Sequence, residues 1–158
     1  MKIRPKTKGD CKGILKVAEK LRIINERTGW FTEDAIKKLI PIDIKLQKGF
    51  VAEENDSIIG FVTYTSKNGE PFIGWIGVDP QFHRKGIGKR LIEKVCEELK
   101  KIGAKELYVE TPSREEGLGN PYEGTYKFYE AVGFKLVKVF PKEERKENCE
   151  MALLKRIL

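Results

Sequence analysis

The chain has 158 residues, a length that fits one domain able to bury most of its apolar surface without disulfides or structural metals. Charged residues at 35% and hydrophobic residues at 40% exclude a disordered chain and a membrane-embedded one. The formal net charge of +7 and pI near 9.2 suit a polyanionic partner, yet 31 Lys and Arg are interleaved with 24 Asp and Glu along the whole chain, the pattern of a mixed solvated surface.

Met1-Lys2-Ile3-Arg4-Pro5 runs directly into charged residues and lacks the apolar stretch of a signal peptide, so a cytoplasmic protein is expected. The longest apolar run, Ile58 to Val62 with a glycine inside it, is too short to cross a bilayer, and no membrane partner is expected. Lys2 to Pro5 reads as a short strand. Asp10 then caps a helix whose apolar positions Ile14, Leu15, Val17, Ala18 and Leu21 recur at helical spacing. Thr32 starts a second helix through Leu39.

Phe50 to Glu53 and Ile58 to Thr65, rich in β-branched and aromatic residues and separated by Asn55-Asp56, predict an antiparallel hairpin. Lys67-Asn68-Gly69 marks a second turn into the strand Phe72 to Val78, which Asp79-Pro80 ends. Gly86 to Ile102 is the strongest helix, with Ile87, Leu91, Ile92, Val95, Cys96, Leu99 and Ile102 on one stripe and Gly103 at its end. Leu107 to Val109 is a strand, Tyr122 to Val132 a helix closed by Gly133, and Phe134 to Phe140 and Met151 to Arg156 the last strands. The order is β-α-α-β-β-β-α-β-α-β-β. No repeat or linker divides it, so a single domain over 1–158 is expected.

Cys11, Cys96 and Cys149 are widely spaced, form no Cys-x-x-Cys pair and have one histidine in the whole chain to join them. Free buried thiols are expected, with no metal site. Two Gln beside abundant Lys, Glu and Ile give the chain a thermophile-like composition.

The stretch Val78-Asp79-Pro80-Gln81-Phe82-His83-Arg84-Lys85-Gly86-Ile87-Gly88-Lys89 is a strand end, a loop with two glycines and a helix start. The first turn of a helix leaves about four N–H groups without intrahelical partners at the positive end of the dipole. Gly86 and Gly88 remove the Cβ atoms that would keep a pyrophosphate from those amides, and Arg84, Lys85 and Lys89 add charge beside them. Close helix-to-strand packing is the other reason for a Gly-x-Gly there. A Rossmann site would need the glycines after the first strand of a parallel series, and a Walker loop would need Gly-Lys-Ser or Gly-Lys-Thr; the chain has neither.

Ile76-Gly77-Val78-Asp79-Pro80 followed by His83-Arg84-Lys85-Gly86-Ile87-Gly88-Lys89 resembles motif A of the GNAT acetyltransferases. The family pattern is Gln or Arg, two residues, Gly, one residue, Gly or Ala; His83 at its first position departs from it and is read as a surface residue. The resemblance implies an α/β fold with a mixed, largely antiparallel sheet of six to seven strands flanked by helices and splayed between its fourth and fifth strands. It implies that Arg84, Lys85, Gly86, Ile87, Gly88 and Lys89 wrap the pyrophosphate of acetyl-CoA, and that Ile76, Gly77 and Val78 offer strand backbone to the pantetheine arm. Phe128-Tyr129-Glu130-Ala131-Val132-Gly133-Phe134 resembles a second family motif, in which an aromatic-Tyr-Glu helix end meets Gly-Phe at the next strand.

From this resemblance Tyr129 would return a proton to the departing CoA thiolate, and Glu110 would serve as base toward the amine, directly or through water. Tyr129 among Tyr126, Phe128 and Phe134 also reads as a core aromatic, and Glu110 as a solvated strand-end carboxylate. A backbone N–H near Val78, freed by a β-bulge, would steady the oxyanion, and Asn120 is a candidate pantetheine contact. The resemblance thus implies an acyltransferase that moves an acetyl group from acetyl-CoA to an amine of a small molecule or protein by direct transfer in a ternary complex. The alternative is a non-catalytic CoA-binding sensor or regulatory module. A homodimer is compatible with the resemblance. No helix-turn-helix, zinc finger or stacking-aromatic motif supports a nucleic-acid partner.

Overall fold

Two consecutive left-handed residues, Asn55 (φ 51°) and Asp56 (φ 61°), make the tight turn that the sequence marks between its second and third strands. The computed structural model describes residues 1–24, 31–114, 122–146 and 149–158. Among them the elements run β1 (Lys2–Pro5), α1 (Cys11–Ile24), α2 (Ile40–Leu46), β2 (Lys48–Glu54), β3 (Ser57–Lys67), β4 (Glu70–Val78), α3 (Ile87–Lys101), β5 (Glu106–Pro112), α4 (Tyr122–Ala131), β6 (Lys135–Phe140) and β7 (Met151–Ile157). This is the expected order.

The strands form one sheet in the order β1-β2-β3-β4-β5-β7-β6. β1 with β2, β2 with β3, β5 with β7 and β6 with β7 are antiparallel. β4 and β5 are parallel and meet at one register position, Phe72 with Tyr108, whose rings stack with centroids 5.4 Å apart. That short ladder is the splay expected between the fourth and fifth strands. The sheet is therefore mixed and largely antiparallel, with seven strands.

The chain falls into two compact units, one of Met1–Thr65 and Ile73–Glu98, the other of Ser66–Phe72 and Leu99–Leu158. In the first, Ile14, Val17, Ala18 and Leu21 of α1, Ile40 and Ile44 of α2, Val51 of β2 and Phe61 of β3 form the buried cluster. Removing each large side chain of this kind from water contributes roughly 1.5–3 kcal/mol. Trp75 joins it through Phe31, and its indole Nε1–H donates to Asp43 Oδ2 at 2.8 Å. In the second unit Leu107 and Val109 of β5 and Met151, Ala152 and Leu154 of β7 are buried, as are Tyr126, Tyr129, Val132 and Phe134.

Four local expectations are corrected. Asp10 does not cap α1: it closes the 3-10 turn Lys8–Asp10 before it, accepting Thr7 N–H at 2.7 Å and the Arg4 guanidinium at 2.8 and 2.9 Å. The second helix does begin at Thr32, whose Oγ1 accepts Ala35 N–H at 3.1 Å, but it passes through a π-helical turn, Ala35–Leu39, and continues to Leu46. Ile102 lies beyond α3 and is 78% exposed, because the chain has already begun its closing turn. Of the three free cysteines only Cys96 is buried; Cys11 and Cys149 are half-buried.

Candidate functional site

The loop after β4 is built by one side chain and two unusual backbone angles. Asp79, 2% exposed, accepts Gln81 N–H at 3.0 Å and the Lys20 ammonium of α1 at 2.6 Å, shaping the 3-10 turn Pro80–Phe82. Burial pushes its carboxyl up, but the bonds from Lys20 and Gln81 outweigh burial and hold it below the usual carboxylate range. The chain then turns left-handed at Arg84 (φ 62°) and at Gly86 (φ 75°) before entering α3. Arg90 N–H to Gly86 O (3.1 Å) is the bond that opens the helix, so the amides of Ile87, Gly88 and Lys89 have no partner within it.

A Cβ placed on Gly86 would meet nothing within 4 Å. Close packing is therefore not why glycine stands here; the left-handed φ and an open space above the helix start are. The tight approaches lie elsewhere: a Cβ on Gly77 would stand 2.8 Å from Leu21 and 3.0 Å from Phe61, and one on Gly60 would stand 3.3 Å from Gly77 O. Ile87 is buried and anchors the helix start, while Arg84, Lys85 and Lys89 are exposed. Among the described residues none of these three cations has an ion-pair partner; Lys85 Nζ lies 5.2 Å from the Phe82 ring centroid. Amides without an intrahelical partner, a dipole end and, among the described residues, cations without an ion pair have the chemistry to take an anion.

Of the β4 residues, Ile76 and Val78 are half-buried and Gly77 is buried. Trp75 N–H donates to Thr63 Oγ1 at 2.8 Å. The peptide unit between Val78 and Asp79 is used on both sides: Asp79 N–H donates to Ile59 O at 2.7 Å, and Val78 O accepts from His83 Nε2 at 2.6 Å.

In the second unit Tyr129 sits near the end of α4, 4% exposed, with its ring against Phe128 (5.3 Å) and Phe134 (5.4 Å). Gly133 (φ 97°) lets the chain leave the helix, and Phe134 N–H bonds back to Tyr129 O at 3.0 Å. Burial raises the Tyr129 hydroxyl above the ordinary tyrosine range, and among the described residues no group hydrogen-bonds it. Glu110 projects from β5 and is held by the Arg145 guanidinium, which also lies 5.1 Å from the Phe140 ring centroid. The next residue, Thr111, is fully buried, and among the described residues its hydroxyl has no partner. Asn120 lies outside the described residues.

The structure thus brings Ile76, Gly77, Val78, Arg84, Lys85, Gly86, Ile87, Gly88 and Lys89 into one continuous strand-loop-helix segment. Sequence reasoning named Asp79 and His83 without their bracing bonds and missed Lys20 altogether. Asp79 before Pro80 was a legible turn-former, but nothing local marks Lys20, 59 positions away, as its partner. Among the described residues no helix is long and apolar enough to cross a membrane, and no three His, Cys, Asp or Glu side chains could hold a metal.

The family model of the Acetyltransferase (GNAT) domain matches residues 46–136, more than half of the chain. A search of curated proteins gives no match. Solved structures share the fold. A protein from Desulfovibrio desulfuricans classed in the GNAT family has TM-score 0.81 at 22% identity, covering 99% of this chain and 98% of its own. PaiA N-acetyltransferase from Thermoplasma acidophilum, in complex with coenzyme A, has TM-score 0.74 at 17% identity over 100% of both chains. A GNAT family acetyltransferase from Elizabethkingia anophelis with acetyl-CoA bound has TM-score 0.68 at 23% identity, covering 99% and 97%. With its helix-start cradle and its match across the segment from α2 to β6, the chain belongs to the GNAT acetyltransferase family.

Proposed function

We propose that residues 1–158 act as a single domain that transfers an acetyl group from acetyl-CoA to an amine of a small molecule or protein, directly and in a ternary complex. The observation that carries this reading is the open cradle at the start of α3, where unpaired amides and the free cations Arg84, Lys85 and Lys89 suit a diphosphate. The relatives from Thermoplasma acidophilum and Elizabethkingia anophelis, solved with coenzyme A and acetyl-CoA, support it.

In this reading the amides of Ile87, Gly88 and Lys89 and the three cations hold the pyrophosphate, while the backbone of Ile76 to Val78 takes the pantetheine arm and the Val78 N–H steadies the oxyanion. Val78 O is engaged by His83. Asn120 adds a pantetheine contact. Tyr129 holds its proton through the neutral range and gives it to the thiolate. Glu110, or a water it binds, accepts the amine proton. Its pairing with Arg145 is the observation that favours the second reading, a CoA-binding module without turnover.

Calorimetric titration with acetyl-CoA, with coenzyme A and ADP as controls, tests the reading without an acceptor. One-to-one binding, weakened by Gly86→Val, is expected. No binding at millimolar ligand would overturn it, and binding without thiol release across an amine screen would leave the sensor.

A further inference from the structure

We infer that His83 is a positioning residue of the cradle, an imidazole clamp that fixes the direction in which the chain leaves β4. This goes beyond the proposed acetyl-CoA site and rests on it. A carbonyl oxygen can only accept, so the 2.6 Å contact to Val78 O requires His83 Nε2 to carry the hydrogen. The peptide unit it grips is also held from the other side, where Asp79 N–H reaches Ile59 O at 2.7 Å. With both of its polar groups engaged, that peptide plane cannot rotate without losing a bond.

Between the clamp's two ends the loop is internally braced. Phe82 N–H donates to Asp79 O at 2.8 Å, His83 N–H to Pro80 O at 3.3 Å, and Asp79 itself is tied to Lys20. Immediately beyond it, Arg84 is left-handed without being glycine (φ 62°), a conformation that surrounding structure must impose. His83 is exposed and adds nothing to the apolar core. Breaking its bond frees Arg84 to relax without opening the core, and the loop must then be reordered when a phosphate binds. The expected loss falls on ligand affinity rather than on fold stability.

The test uses the full chain. His83→Leu should weaken acetyl-CoA binding about threefold to tenfold by calorimetry, the range one lost hydrogen bond produces, with the thermal midpoint unchanged. His83→Gln, whose side-chain amide reaches about as far as Nε2, should restore affinity to within about twofold of wild type. In the ligand-free protein, hydrogen exchange at the amides of Arg84 and Lys85 should quicken in the Leu variant and recover in the Gln variant. Unchanged exchange, a Gln variant as weak as Leu, or a midpoint that falls in step with affinity would overturn the clamp. Wild-type protein that binds no acetyl-CoA while the exchange pattern holds would sink the acetyl-CoA reading and leave the clamp as a feature of the loop alone.

Discussion

Tyr129 combines two properties that rarely coincide in a core aromatic: its ring is packed by Phe128 and Phe134, and among the described residues its hydroxyl has no partner. Burial keeps the Tyr129 hydroxyl protonated through the neutral range, so on the proposed role it has a proton to give. Tyr129→Phe keeps the ring contacts and removes no hydrogen bond made by a described residue, so the unfolding midpoint should hardly change. On the proposed role kcat should fall about 100-fold, the lower end of general acid catalysis, with acetyl-CoA affinity retained. Steady-state kinetics with calorimetry separates the two, and an undiminished kcat would take the proton from Tyr129. The aromatic-Tyr-Glu pattern made the residue legible; its unpartnered hydroxyl was not, because hydrogen bonding depends on side chains the local sequence does not name.

Elements were legible where their cause is local. The glycines after α3 and α4, the paired turn residues at Asn55-Asp56 and the apolar stripe of α3 each act within a few residues, and the structure places every strand and helix in the order they imply. What failed was polar and long-range, as at Asp10. A helix cap was the reasonable local role, but Arg4 of β1 takes both carboxylate oxygens while its Nε reaches Glu53 of β2 at 2.9 Å, joining three segments. The Arg4 bond first, with Thr7 assisting against the cost of burial, pulls the Asp10 carboxyl down to about 2. A depressed carboxyl contributes stability that is complete above its unfolded value near 4 and disappears as pH falls through about 2. Asp10→Asn should therefore cost about 2 kcal/mol at pH 7 and almost nothing at pH 2. Urea unfolding at the two pH values measures this, and a penalty that persists at pH 2 would assign it to lost packing instead.

At the scale of the molecule the question is whether a net charge of +7 acts as a diffuse field or through its placement. Many cations are neutralised where they stand: Lys20 by Asp79, Lys37 by Glu33, Lys94 by Glu97, Lys155 by Glu106. At the start of α3, Arg84, Lys85, Lys89 and Arg90 are exposed and, among the described residues, carry no ion pair. Fields from exposed charges die off over about 10 Å at 0.1 M salt, so placement should dominate. Lys89→Glu and Lys12→Glu each lower the net charge by two, the first inside the cradle and the second on the exposed first turn of α1. Lys89→Glu should weaken acetyl-CoA binding roughly tenfold at 50 mM salt and less at 500 mM, while Lys12→Glu stays within about twofold at both. Equal losses would mean that a diffuse field draws the anion in. A loss confined to Lys89 would show that the basic balance of this chain reaches its ligand through the cations placed at one helix start.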